Sequence, residues 1–307
     1  MTLLALDIGG SAVKYGLWHQ EELQQTGEFT TPKTRQAFYD KIIELKSETY
    51  RTYDINGIAL SCPGDTDEET GFVNGFSFVP FLHLGEFQQE FSKTVDLPVR
   101  MINDANSATL AELTYGIGKD VKDGLFVIIG TGIGIGMVAD HQLVTTTSDK
   151  INDFEKLIAD SIKVFNNSKV SLVKIARRVS LKKLKLPSTF NGKDIFELAD
   201  QGDDLAQKEL EQMYVALSHV LISLNAAFKP EMIGFGGGIS NNPALIPNLE
   251  QHMTEMISEN PPFLTILNSL FAVELTDFPL PVLKTCHFKS EANLIGAVIH
   301  YQNNCKD

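Results

Sequence analysis

Two short apolar runs that each close on a glycine turn constrain this chain's fold more than anything else in it. Leu3-Leu4-Ala5-Leu6-Asp7 runs into Gly9-Gly10, after which Ala12 to Trp18 resumes strand-like character. Leu125-Phe126-Val127-Ile128-Ile129 runs into Gly130-Thr131-Gly132-Ile133-Gly134-Ile135-Gly136 and continues to Val138. Both read as strand pairs with glycine tips. Their repetition predicts two similar lobes facing each other across a cleft.

Taken alone, the second glycine run also fits a dinucleotide-binding turn. That reading requires a helix to open at the glycines inside a βαβ unit. Ile135-Gly136-Met137-Val138-Ala139-Asp140 is strand-like instead, which favours a hairpin. Helical spacing from Gln36 to about Arg51 is followed by a buried-type strand, Ile55 to Ser61, that runs into Cys62-Pro63-Gly64. Pro98 to Ile102 delivers Asn103-Asp104 to a helix from Ala105 to Tyr115, with Asp104 placed to cap it. The turn at Gly116-Ile117-Gly118 marks the lobe boundary. Beyond it, Asp203 to Phe228 reads as one long amphipathic helix, followed by strand Met232-Ile233 and the run Gly234-Phe235-Gly236-Gly237-Gly238. Glu291 to Tyr301 is a helix that folds back on the first lobe. The expected division is therefore 1–118 with 291–307, and 119–290, in an α/β architecture.

Composition narrows the partners. With 307 residues, 43% of them hydrophobic, the chain can bury the cores of about two domains. No apolar run reaches the roughly 18 residues of a membrane helix, and MTLLALDIGG lacks the basic flank of a signal peptide. A cytoplasmic protein with no membrane partner is expected. A net charge of −13 disfavours nucleic acid, which needs a dominant positive field. The nine basic residues between Lys163 and Lys193, with no acid among them, read as a solvated helix face. Cys62, Cys286 and Cys305 are too few and too scattered for a disulfide framework or a zinc signature.

Phosphoryl transfer asks a protein for backbone N–H groups around phosphate oxygens, a magnesium ion, and a base for the attacking hydroxyl. The chain offers each. Gly9-Gly10 and Gly130-Thr131-Gly132 let the backbone approach phosphates, and Ser11 and Thr131 add hydroxyls. Asp7, at the strand end beside the first turn, is placed to hold hydrated Mg2+.

In order along the chain, Asp7-Ile8-Gly9-Gly10-Ser11 with Lys14, Pro63-Gly64, Asn103-Asp104-Ala105-Asn106, Gly130-Thr131-Gly132-Ile133-Gly134, Gly236-Gly237-Gly238-Ile239-Ser240 and Gly296 resemble the motifs of the ROK family of sugar kinases and related repressors. The resemblance implies an actin-like ATPase (ribonuclease H-like) fold, two lobes around a central cleft. It implies ATP-dependent phosphorylation of a hexose, amino sugar or β-glucoside at the 6-position, with Asp104 as general base. By the same resemblance Asn103 and Gly64 hold the sugar, Gly9-Gly10-Ser11 with Lys14 and Gly130-Thr131-Gly132 hold the phosphates, and Gly236-Gly237-Gly238 lines the adenosine. A homodimer is also implied.

The chain departs from that family where a Glu-x-Gly-His element and a zinc-binding cysteine cluster usually follow the second phosphate loop. Here the stretch reads Asp153-Phe154-Glu155-Lys156-Leu157, so Glu155 falls at the acidic sugar-ligand position and no zinc is expected. This departure motivates an alternative, a sugar-binding or sensing protein with little turnover. A DNA-binding repressor is not expected, because the chain starts directly at the first glycine-turn strand. Gly75 to His83 is rich in aromatics beside the implied sugar side, where rings suit either a sugar pocket or simple packing.

Overall fold

The computed structural model describes residues 1–130, 132–145, 170–259 and 279–305, with the side chains of residues 48, 49 and 259 excepted. Two compact units divide it, Met1–Tyr115 with Ser290–Asp307, and Gly116–Lys289. The turn at Gly116–Gly118 goes with the second unit, where Ile117 Cδ1 lies 3.1 Å from the position a Cβ on Gly234 would take.

The first unit is built on β1 (Leu3–Ile8), β2 (Ala12–His19), β3 (Glu22–Thr30), β4 (Gly57–Cys62) and β7 (Val99–Asn103), with a small hairpin of β5 (Asp65–Asp67) and β6 (Phe72–Asn74) beside it. Strand order is β3-β2-β1-β4-β7. The second unit holds β8 (Gly124–Ile129), β9 (Ile133–Ala139), β10 (Gln142–Val144), β11 (Met232–Gly236) and β12 (Val282–Thr285), ordered β10-β9-β8-β11-β12. The two sheets share one plan. Three strands form an antiparallel meander, and the first of them pairs in parallel with a later strand, which in turn pairs in parallel with a further one. The glycine turns fall between the first two strands of each sheet, so the duplication legible in the sequence is a duplication of sheet topology.

Burial follows from that plan. β1 and β4 run through the middle of the sheet with both faces covered, and they read as continuous apolar runs rather than alternations. β3 lies at the edge with most of its side chains in water, and its polar residues suit an unpaired strand edge.

The helices among the described residues are α1 (Arg35–Glu44), α2 (Phe87–Val95), α3 (Asp104–Tyr115), α4 (Leu172–Lys182), α5 (Gly192–Asp200), α6 (Asp204–Phe228), α7 (Leu245–Glu259) and α8 (Ala292–Asn303). The helical spacing expected to reach Arg51 ends its α-form at Glu44 and continues as a wider turn over Leu45–Thr49. Asp203 caps α6 by accepting from Ala206 N at 3.0 Å, and Lys229 closes it in the left-handed conformation ahead of Pro230. None of the described helices is long and apolar enough to cross a membrane.

The basic stretch before α5 is matched by acids on and before α6. Arg178 Nη2 and Lys182 Nζ reach the buried Glu209 carboxylate at 2.6 and 2.8 Å, and Lys183 pairs with Asp203. Charges that looked like a solvated face are in part ion pairs holding α4 to α6.

α8 returns the chain to the first unit and lies against α3. Glycine at 296 is what lets it do so, because a Cβ there would stand 1.7 Å from Ser107 O. On an exposed helix, glycine to alanine gains about 1 kcal/mol of propensity. Here the clash reverses the sign, and Gly296→Ala is expected to destabilise the first unit by about 1–3 kcal/mol. A urea titration reads this as a lowered midpoint, and a raised midpoint would show that α8 stands off from α3.

Candidate active site

Three parallel strands of the first unit end side by side. Asp7 on β1 pairs in register with Ser61 on β4, and Cys62 on β4 pairs with Asn103 on β7. The carboxyl ends of adjacent parallel strands are where α/β sheets gather their ligand-binding side chains.

Asp104 follows β7 directly and opens α3. The capping expected of it is done by its neighbour. Asn103 Oδ1 accepts from Ala105 N at 3.0 Å and Asn106 N at 3.2 Å, while its Nδ2 donates to Gly64 O at 2.9 Å. One side chain thus caps the helix and ties it to the turn after β4. Asp104 accepts from Ala105 N at 2.9 Å. Burial and the nearby charge of Asp7 push its pKa up to about 6. That value suits a group that must take up a proton near neutrality.

Asp7 is held from three sides. Ser61 Oγ donates to Oδ1 at 3.1 Å, Asn293 Nδ2 donates to the same oxygen at 2.9 Å, and Lys14 stands opposite it across the β1–β2 pair. Burial raises its pKa, and Asn293, Lys14 and Ser61 oppose that rise. Lys14 Nζ also donates to Ser290 O at 3.4 Å. Cys62 lies between the two acids, and burial together with their charge pushes its thiol far up, so it stays protonated.

Asn293 and Ser61 are the members that sequence reasoning did not single out. Asn293 lies far along the chain, and its signal is a polar side chain in the first turn of α8, just before the apolar run from Leu294 to Ile299. Its carbonyl also accepts from Ser107 Oγ on α3 at 2.7 Å. α8 therefore touches the strand end that carries Asp7 and the helix that carries Asp104.

The first glycine turn is tight, with Gly9 N donating to Ala12 O at 2.9 Å and Thr31 Oγ1 donating to Gly9 O at 2.6 Å. Gly10 and Ser11 are exposed. A Cβ on Gly10 would stand 2.9 Å from Phe78 Cβ, so a ring as well as any phosphate requires glycine there.

In the second unit, Gly130 N donates to Gly132 O at 2.9 Å across the other turn. Thr131 lies outside the described residues, as do Glu155 and the rest of Asp153–Leu157. Gly237 has φ of 79°, and a Cβ on it would meet Ile129 O at 2.2 Å. Only glycine allows the turn after β11 to press on the end of β8, and Gly236-Gly237-Gly238 is thereby brought beside Gly130. Gly130 and Gly238 border a cavity of about 580 Å3 walled by Leu172, Phe196, Ile239, Asn242 and Pro243. A mostly apolar cavity with glycine turns at its edge fits a nucleoside and its phosphates. Room is left for them, since a Cβ at Gly132 or Gly238 would meet no heavy atom within 4 Å. Among the described residues no group of three or more His, Cys, Asp and Glu side chains is arranged to hold a metal ion by itself.

Twin sheets of this order, each with a glycine turn after its first strand, define the actin-like ATPase fold of the carbohydrate kinases. The chain belongs to the ROK family, which it matches over residues 3–148 and 167–273. It is 28% identical to a β-glucoside kinase of Listeria innocua serovar 6a, over 98% of this chain and 97% of that one. A ROK family protein of Streptococcus pneumoniae TIGR4, solved in complex with sucrose, shares 25% identity and a TM-score of 0.74 over 99% of both chains. The Lmo2764 protein of Listeria monocytogenes shares 26% identity and a TM-score of 0.77, again over 99% of both.

An acid with a raised pKa costs stability when ionised. The cost is absent below about pH 4, where Asp104 is protonated folded or unfolded, and complete above about pH 6. Asp104→Asn keeps the acceptor for Ala105 N and removes the charge. Part of the carboxylate remains open to water, so a modest gain is expected at pH 7, a Tm higher by roughly 2–4 °C. A lower Tm by calorimetry would mean the two acids do not repel.

Proposed function

We propose that the protein transfers the γ-phosphoryl group of ATP to the 6-hydroxyl of a sugar, a hexose, amino sugar or β-glucoside, with Asp104 as general base. The observation that carries the reading is the carboxylate pair at the ends of β1 and β7, on either side of β4, with the pKa of Asp104 pushed up to about 6. A relative over nearly its whole length carries the name β-glucoside kinase, and another was solved with sucrose, which supports a sugar acceptor.

Asn103, whose amide group already joins Gly64 to the start of α3, lies with Gly64 where it can orient sugar hydroxyls. Glu155 completes the sugar ligands in this reading. Asp104 takes the hydroxyl proton as the sugar oxygen bonds to the γ-phosphorus and the bond to the ADP oxygen breaks. Gly9-Gly10-Ser11 with Lys14, and Gly130-Thr131-Gly132, supply donors to the phosphates. Gly236-Gly237-Gly238 and the cavity beside them take the adenosine.

Asp7 suits hydrated Mg2+ because both hydrogen bonds it accepts fall on Oδ1, and Oδ2 is the atom left to meet a metal-bound water. When bound, Mg2+ neutralises charge on the phosphate oxygens. Asn293 aims the acid. Asn293→Ala is expected to raise the Mg2+ concentration for half-maximal rate by about tenfold, and an unchanged requirement in a magnesium titration would count against this role.

A panel of glucose, N-acetylmannosamine, fructose and β-glucosides, assayed for ADP release with ATP and Mg2+, tests the reading. At least one sugar should stimulate release, and Asp104→Ala should cut turnover by about 10²–10⁴-fold. Because the base works ionised, turnover should fall as pH drops below about 6. Sugar binding by calorimetry without ADP release would establish a sensor instead. The reading carries a cytoplasmic homodimer with it, and sedimentation of the purified protein checks the dimer.

A further inference from the structure

The loop after β6 is tied down at several points and leaves two rings in water. Phe81 and Leu82 are buried, with Phe81 stacked on Phe38 at 5.6 Å between centroids. Arg35 holds the loop from α1, donating from Nη2 to Phe81 O at 2.9 Å, reaching Leu84 O, and pairing with Glu90. His83 donates from Nδ1 to Val73 O at 2.9 Å and accepts at Nε2 from Ser77 Oγ at 2.7 Å, while Ser77 Oγ accepts from Val79 N at 3.2 Å. His83 is therefore a structural tie. Against this fixed backbone Phe76 is 87% exposed and Phe78 67% exposed.

Their place in the unit gives the rings a role. Phe78 leans on Gly10, at the turn after β1. Val73, Asn74 and His83, which flank the rings in the loop, close around Gly64, and Gly64 is bound to Asn103 beside Asp104. Phe78 thus stands beside the turn that follows Asp7, Phe76 is two residues away in the same loop, and the residues on either side of the pair pack on the Gly64 that Asn103 binds. Scattered apolar side chains in water are ordinary, but two rings displayed by a rigid loop beside a polar site mark a ligand surface.

We propose that Phe76 and Phe78 form a subsite for the second ring of the acceptor. The substrate is a glycoside, a disaccharide or an aryl glycoside, whose second ring lays an apolar face on these phenylalanines while the first ring meets Asn103 and Asp104. The inference rests on the sugar-kinase reading and specifies its substrate class.

The experiment compares kcat/KM for cellobiose, phenyl β-glucoside and methyl β-glucoside, the last with no second ring. The wild-type protein is expected to favour at least one two-ring acceptor over methyl β-glucoside by about tenfold or more. Which of the two wins distinguishes a sugar from an aryl second ring. Phe76→Ala, at a side chain in water, should remove most of that preference through KM rather than kcat, and Phe76→Tyr should retain it. Calorimetric titration of the favoured glycoside without nucleotide should show the same order of affinities. Equal kcat/KM for one-ring and two-ring acceptors, or a Phe76→Ala loss shared equally by all three, would overturn the subsite and leave the kinase standing. No phosphorylation of these acceptors or of any other sugar would sink the kinase reading and the subsite with it.

Discussion

The approach of α8 to α3 holds the candidate site together. At Gly296 the two helices come so close that Ser107 occupies the space of a side chain, and one turn earlier Asn293 reaches Asp7 with its amide and Ser107 with its carbonyl. Two acids that repel each other are thereby fixed on separate elements with a common brace. Packing at that distance buries Asp104, the larger cause of its raised pKa, and leaves little freedom for it to move away from the charge of Asp7, which adds to the rise. The chemistry asked of Asp104 is in this sense a product of helix packing. It does not reside in the acid alone.

Much of the architecture was legible in the chain. The two glycine turns predicted a duplication, and the duplication is seen as two sheets of one strand order. Continuous apolar runs marked the central parallel strands because both of their faces are covered. The strand-to-helix position of Asp104 was also readable, since a strand and a helix differ in period. Which residue caps the helix was not. Asn103 and Asp104 have similar capping propensity, and only the position of Gly64 O decides that Asn103 turns inward to do it.

What stayed hidden depends on distance along the chain. Nothing near Asp7 announces Asn293, because their hydrogen bond spans almost the full length and leaves no local pattern. Gly10 shows a different limit. Its glycine satisfied the requirement of a phosphate turn, yet the nearest atom to its missing side chain belongs to Phe78. One residue can answer two steric demands, and a motif reports only the demand it is named for. The basic stretch ending at Lys193 was read as a solvated face, but Glu209 pairs with part of it, and a composition count cannot see a pairing between helices.

The return of α8 to the first unit also bears on the order in which the protein is made. The strands carrying Asp7 and Asn103 leave the ribosome before the second unit is made, yet their brace follows only after it. The second unit has all of its strands before α8 exists, so it can complete its sheet while the first is still without its final helix. During that interval Asp7 lacks Asn293, and Ser107 lacks the helix that should cover it. The candidate site therefore waits for a segment that lies beyond the whole second unit, and a nascent chain lacks the brace until α8 has emerged.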